Sequence, residues 1–158
     1  ATGFVEIELD LETGKFDIVE YAAVADCGTV LHPMGLSNQV KGGTVMGLGM
    51  ACSERHIYDS QSGLPANVGF YQAKPMSYLD VPSTMQWGAV NIADPQNPVG
   101  ARGVGEPVEG CASAAVLCAI SDALGGHYFN RAPISPDMIV NAAAGRSQSH
   151  LPLAVNTA

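Results

Sequence analysis

Glu106 stands where a carboxylate can do proton chemistry. It follows Gly103-Val104-Gly105 and precedes Pro107. The glycines permit backbone conformations closed to other residues and let the main chain approach a ligand, and proline suits the first position of a helix. The helix dipole at that point favours a charged carboxylate, whereas burial disfavours it. A carboxylate held between those influences can act as a general base near neutral pH. The same position also suits an ordinary helix cap, and local chemistry leaves both readings open. Glu109, in the same first turn, reads as dipole complementation. Gly-Val-Gly-Glu is not the dinucleotide fingerprint, whose glycines are spaced differently between strand and helix. A second candidate is Gln39, in the run Gln39-Val40-Lys41-Gly42-Gly43. Its amide can both donate and accept a hydrogen bond, although by itself it reads as a polar residue on a helix surface.

The elements that must position these residues are of mixed type. Residues 4–11 alternate, with Val5, Ile7, Leu9 and Leu11 facing one way and Glu6, Glu8 and Asp10 the other. Glu12-Thr13-Gly14-Lys15 supplies a turn, and Phe16 and Ile18 against Asp17 and Val19 resume the alternation towards Asp26. This pattern predicts a hairpin with one buried face. From Met34 to about Arg55, Leu36, Val40, Thr44, Leu48 and Cys52 recur at helical spacing. Gly42, Gly43, Gly47 and Gly49 lie inside that helix. Each costs about 1 kcal/mol relative to alanine, so either the helix begins later or its backbone approaches something closely. Residues 57–83, broken by Gly63, Pro65, Gly69, Pro75 and Pro82, read as a long loop, a kind of segment that is commonly functional or interfacial. Met85, Trp87, Ala89 and Asn91 suggest a further strand. A second helix from Pro107 to Gly125-Gly126 is apolar nearly all round and is expected to be buried, with Ala112, Ala115 and Ala119 allowing close packing. Ser135-Pro136 opens a short helix through Ala144, and the tail from Arg146 is expected to fray. The fold class is therefore α+β: an N-terminal hairpin and another strand, with two main buried helices.

Composition narrows the function. Only 14% of the 158 residues are charged, against about 25% in a typical soluble domain, so part of this surface is expected to be covered, as in an obligate subunit. A net charge of −8 with seven scattered Lys and Arg excludes phosphate-backbone binding. No apolar run approaches the roughly 20 residues needed to span a membrane. Cys27, Cys52, Cys111 and Cys118 lack metal-ligand spacing, and Cys111 and Cys118 read as small buried hydrophobes. His32, His56, His127 and His150 form no ligand pair, and no metal ligand is assigned on this chain. Unpaired cysteines without an export signal favour the cytoplasm, unless a partner carries such a signal. The start, Ala-Thr-Gly-Phe, shows no secretory pattern and lacks an initiator Met, which suggests a processed or split chain.

Taken together, two separated segments resemble one family. Gly103-Val104-Gly105-Glu106-Pro107, a small-residue helix and Ser135-Pro136-Asp137-Met138-Ile139 form the later segment. Asp26-Cys27-Gly28, Pro33, Gln39-Val40-Lys41-Gly42-Gly43 and Gly47-Leu48-Gly49 form the earlier one. In order and spacing they resemble the C-terminal part of the molybdopterin-binding subunit of molybdenum hydroxylases, the xanthine oxidase and aldehyde oxidoreductase family. The resemblance covers about residues 3–145. It implies that residues 1–145 are the C-terminal portion of a larger molybdenum-cofactor-binding domain, with 146–158 as a tail. It implies that Glu106 is the general base that deprotonates a hydroxyl on molybdenum, which then attacks an electron-poor carbon of an aromatic N-heterocycle or an aldehyde. Gln39 corresponds to a glutamine that hydrogen-bonds molybdopterin, and Gly42, Gly43, Gly103, Val104 and Gly105 would pack near the cofactor. The family's other cofactor-binding and substrate-orienting segments lie upstream of this region. The implied partners are therefore the remaining molybdopterin-binding chain, an iron–sulfur subunit and an FAD subunit. Carbon monoxide dehydrogenase and aromatic thioester reductase branches of the family are alternatives, as is a structural subunit that buttresses a complete catalytic chain.

Overall fold

The computed structural model describes residues 1–150. Strands β1 (Thr2–Leu9) and β2 (Phe16–Ala25) form the expected antiparallel hairpin. Its turn is organised by Asp10, whose carboxylate accepts hydrogen bonds from the Glu12 and Thr13 backbone N–H groups and from the Thr13 hydroxyl. These bonds, the hydroxyl's first, hold the Asp10 carboxyl below the usual carboxylate range. The alternation of β2 is not uniform. Glu6 faces Glu20 but Ile7 faces Ile18, so Val19 is an extra residue. Such a bulge shifts the pleat by one residue. Phe16 and Ile18 therefore point inward before it, and Tyr21, Ala23 and Ala25 after it.

The long helix α1 (Pro33–Cys52) starts at His32, whose Nδ1 accepts from the Gly35 backbone N–H. Between α1 and the next strand lie a single-turn helix α2 (Phe70–Ala73) and a 3-10 turn (Tyr78–Asp80), both inside the segment read from sequence as irregular. Strand β3 (Thr84–Ala89) then pairs parallel with β2, giving the sheet order β1-β2-β3. Helix α3 (Pro107–Ala123) packs across β1 and along α1, and α4 (Pro136–Ala143) closes the far end of the core with Ile134, Met138 and Ile139.

Helix α3 is not buried all round. Its fully buried residues are Val108, Ala112, Val116 and Ile120, a single stripe one turn apart. Apolar composition over-predicts burial here because small residues fill the outer face as well. Cys118 lies on that outer face and is exposed, and Cys111 is only half-buried, which corrects the expectation that both are core residues. At the start of the expected tail, Arg146 N–H donates to Asn141 O and Gln148 Nε2 donates to Met138 O. The rest of the expected tail, 151–158, lies outside the described residues.

Gly42, Gly43 and Gly47 of α1 divide into two kinds, while a Cβ at Gly49 would meet the Glu54 side chain. A Cβ at Gly43 would collide with the Val108 side chain, and one at Gly47 with the Glu109 carbonyl and the Ala112 methyl. These two glycines permit the close crossing of α1 and α3. Gly42 faces open space. Two substitutions in one helix should therefore have opposite effects. Gly47→Ala meets backbone that cannot swing aside, so overpacking of about 1–3 kcal/mol outweighs a propensity gain of about 1 kcal/mol. Gly42→Ala meets nothing and should stabilise by up to about 1 kcal/mol. Urea-denaturation midpoints should fall for Gly47→Ala and rise for Gly42→Ala; shifts of the same sign would contradict the packing described.

Candidate functional site

Helices α1 and α3 cross so that neighbours advance together along both: Gln39 beside Gly105, Gly43 beside Val108, Gly47 beside Ala112. They run in the same direction, and their N-terminal portions lie at one end of the molecule. The two segments singled out from the sequence therefore meet. Gln39 Nε2 donates a 3.0 Å hydrogen bond to the carbonyl of Gly105, across 66 residues of sequence. Its Oε1 takes no hydrogen bond among the described residues, which leaves an unused acceptor on an exposed side chain.

Glu106 occupies the cap position of α3, with φ −93° and ψ −16°, and its side chain makes no capping hydrogen bond. The cap reading has no side-chain contact behind it; the backbone carbonyl of Glu106 alone joins the helix, accepting from Glu109 N–H at 3.0 Å. Glu106 is exposed, contrary to the burial expected from its place ahead of an apolar helix. The reason is that the helix buries the opposite stripe, beginning with Val108. Gln39, Gly42, Gly103 and Gly105 are exposed on the same side, and a Cβ at any of the three glycines would meet nothing within 4 Å. Val104 turns inward and packs against the core. Gly43 is buried and is accounted for by its contact with α3. The result is an open patch with a free carboxylate, a half-satisfied amide and bare backbone, which can admit a polar ligand with many acceptors and donors.

The loop that delivers Glu106 is fastened upstream by residues the sequence reading did not single out as functional. Arg102 bridges two carboxylates, Nη1 to Asp26 Oδ2 at 2.7 Å and Nε to Asp94 Oδ2 at 2.8 Å. The Arg102 hydrogen bond, followed by that from the Gln96 backbone N–H, holds the Asp94 carboxyl below the usual carboxylate range. Arg102 N–H donates to Cys27 O at 2.7 Å, and Gly28 pairs with Ala101 as an isolated bridge. Asn97 holds Ala101 from both sides through its amide. The one local signal was the eight-residue separation of Asp94 and Arg102; the contact with Asp26 spans 76 residues.

A cleft of about 780 Å³ lies at the other end of α1, lined among others by Glu54, His56, Glu109 and Arg131, and it contains neither Gln39 nor Glu106. Burial first, then the charge of Glu109, raises the Glu54 carboxyl there, with His56 opposing. Among the described residues no three His, Cys, Asp or Glu side chains gather as a metal-binding group. No described helix is long and apolar enough to cross a membrane.

Comparison with known proteins gives a consistent assignment. The model of the molybdopterin cofactor-binding domain matches residues 1–82. The chain is 31% identical, over 92% of its length, to the gamma subunit of the 6-hydroxypseudooxynicotine dehydrogenase complex of Paenarthrobacter nicotinovorans, of which it covers 18%. It is 32% identical, over 88% of its length, to the large subunit of nicotine 6-hydroxylase from the same organism, of which it covers 17%. Quinoline 2-oxidoreductase from Pseudomonas putida 86 superposes on 90% of the chain with a TM-score of 0.81 and 30% identity, the chain covering 18% of that structure. The chain thus spans less than a fifth of the length of the relatives it matches.

The Gln39–Gly105 bond makes a local prediction. Its net worth is about 1 kcal/mol, so Gln39→Leu should loosen residues 103–106. Trypsin should then cut after Arg102 about fivefold faster, at equal protease and native temperature, while cleavage after Lys15 is unchanged. Equal rates after Arg102 would mean that Gln39 does not hold this loop.

Proposed function

Because the chain belongs to the molybdopterin cofactor-binding family of molybdenum hydroxylases, we propose that it contributes the general base, Glu106, and part of the cofactor's binding surface to such an enzyme. The observation that carries this reading is the Gln39–Gly105 hydrogen bond, which joins the two segments beside a carboxylate that takes no hydrogen bond among the described residues. The residues present suit molybdopterin. The pterin is rich in donors and acceptors, and Gln39 keeps an unused Oε1 and a second N–H to offer it. Gly42, Gly103 and Gly105 bare the backbone where a flat ligand can lie close.

When bound, the cofactor supplies the electron acceptor and activates water-derived oxygen. The chain's own part is proton transfer and orientation. The Glu106 carboxylate, which takes no hydrogen bond among the described residues, would accept the proton, a task that needs only a modest base where a metal acidifies the donor. Gln39 holds the preceding carbonyl and so limits the loop's swing. Val104, packed inward, fixes which way the carboxylate emerges.

The substrate class favoured is an aromatic N-heterocycle oxidised at an electron-poor carbon. The names of the relatives reported above refer to nicotine derivatives and to quinoline, which share that ring chemistry. The remaining molybdopterin-binding portion, with iron–sulfur and FAD partners, would complete the enzyme. One surface property supports completion by further polypeptide. The segment between α1 and β3 exposes Val68, Phe70, Tyr71, Tyr78 and Leu79, each by more than four-fifths, apolar surface of the kind that marks an interface.

The test is Glu106→Gln in the assembled, cofactor-loaded enzyme. The amide keeps size and polarity but cannot take the proton. Molybdenum content should stay at the wild-type level while turnover falls about a hundred- to ten-thousand-fold. Near-normal turnover with a full complement of metal would overturn the base assignment.

A further inference from the structure

The two glycines of Gly103-Val104-Gly105 leave the loop before Glu106 without a conformation of its own. Between them Val104 packs against the core, and the rest of what sets the path comes from the residues that anchor its ends. Downstream, that anchor is α3 together with the Gln39 bond to Gly105. Upstream it is Arg102, and the geometry there is more elaborate than a surface ion pair requires. The guanidinium spans two carboxylates from different parts of the chain, at 2.7 Å and 2.8 Å. Asp26 uses its other oxygen, Oδ1, to hold Gly28 N–H at 3.1 Å. The main chain of Arg102 is pinned to Cys27 in parallel with its side chain. Asp94 is itself tied to the same turn, because its N–H donates to Gly100 O, which also accepts from Thr29 N–H. Side chain and backbone thus lock Arg102 to the end of β2 and to the 94–100 loop together.

We propose that Arg102 is a positioning residue for Glu106. It acts through four residues of chain that reach at most about 14 Å, by fixing the point from which the base loop departs. The inference rests on the reading of Glu106 as the base. It differs from a purely structural account in the size of two effects. The guanidinium is about half exposed, and ion pairs made by such a group contribute little to stability, so their loss should barely change unfolding. A misplacement of a catalytic group by about 1 Å can cost a hundredfold in rate.

The experiment uses the assembled, cofactor-loaded enzyme with Arg102→Gln, Arg102→Lys and Asp26→Asn, each alone and the first also combined with Glu106→Gln. Arg102→Gln should lower kcat ten- to a hundredfold with KM within twofold, and with molybdenum content and melting temperature close to wild type. Asp26→Asn, which can keep the Gly28 bond, should lower kcat by a smaller factor. Arg102→Lys should recover part of the loss, since one ammonium can serve one carboxylate well but not both. Independently of turnover, amide exchange in a peptide covering residues 100–106 should speed several-fold in Arg102→Gln. In the Glu106→Gln background, Arg102→Gln should cost less than twofold, because the group it positions has gone. A full additive loss in that background, or wild-type kcat and exchange in Arg102→Gln alone, would overturn the positioning role. If Glu106→Gln itself turns over normally, the base reading fails instead, and the two failures are told apart.

Discussion

A helix that lacks side chains at its point of closest approach to another sets the distance on which this site depends. At Gly43 and Gly47, α1 presents bare backbone to Val108, Glu109 and Ala112 of α3. Any Cβ there would force the helices apart, and a separation of even an ångström or two at Gly43 would take Gln39 out of hydrogen-bonding range of Gly105. Glycine in a helix is unfavourable by about 1 kcal/mol per residue. Here the cost is offset by the buried stripe of Val40, Leu48, Val108, Val116 and Ile120 that the crossing creates. Sequence, packing and site are linked at one place: the residues that weaken α1 as a helix are those that let it meet α3.

The site that results is open on this chain. Gln39, Gly42, Gly103, Gly105 and Glu106 all face outward, while the core lies on the other side of both helices. The Glu106 carboxylate is exposed to water. Its environment changes when a cofactor and further polypeptide cover it, because removal of water strengthens every nearby electrostatic interaction. The exposed Phe70, Tyr71 and Tyr78 between α1 and β3 fit a surface that further polypeptide covers. On this account the chain holds the base and some of the cofactor's contacts, while the environment that tunes the base is supplied by what packs against it.

Much of this was legible in the residue pattern, and what was not has definite causes. The hairpin, both long helices and β3 follow from periodicity, since alternation and four-residue recurrence report a buried face directly. The bulge at Val19 was hidden because a one-residue slip in the pleat looks like a weak alternation until the partner strand is known. Cys118 was read as buried because apolar composition does not say which side of a helix has a neighbour. The meeting of Gln39 with Gly105 and of Arg102 with Asp26 depends on contacts 66 and 76 residues apart. No local rule reaches that far, so both were found only in three dimensions; the family resemblance had given Gln39 a contact with the cofactor, not with Gly105. The helix glycines fall between: their cost posed a question in the sequence, and the α1–α3 crossing answers it for Gly43 and Gly47 but not for Gly42.

The central claim is that the crossing of α1 and α3 brings Gln39 and Glu106 to one face of one cofactor. An experimental structure of the assembled enzyme, with molybdopterin bound and side chains resolved, tests it most directly. The account predicts the Gln39 amide in hydrogen-bonding contact with the cofactor, with Glu106 projecting from the same patch towards the metal. A cofactor seated elsewhere, with the 103–106 loop turned to solvent or buried against another polypeptide, would contradict it.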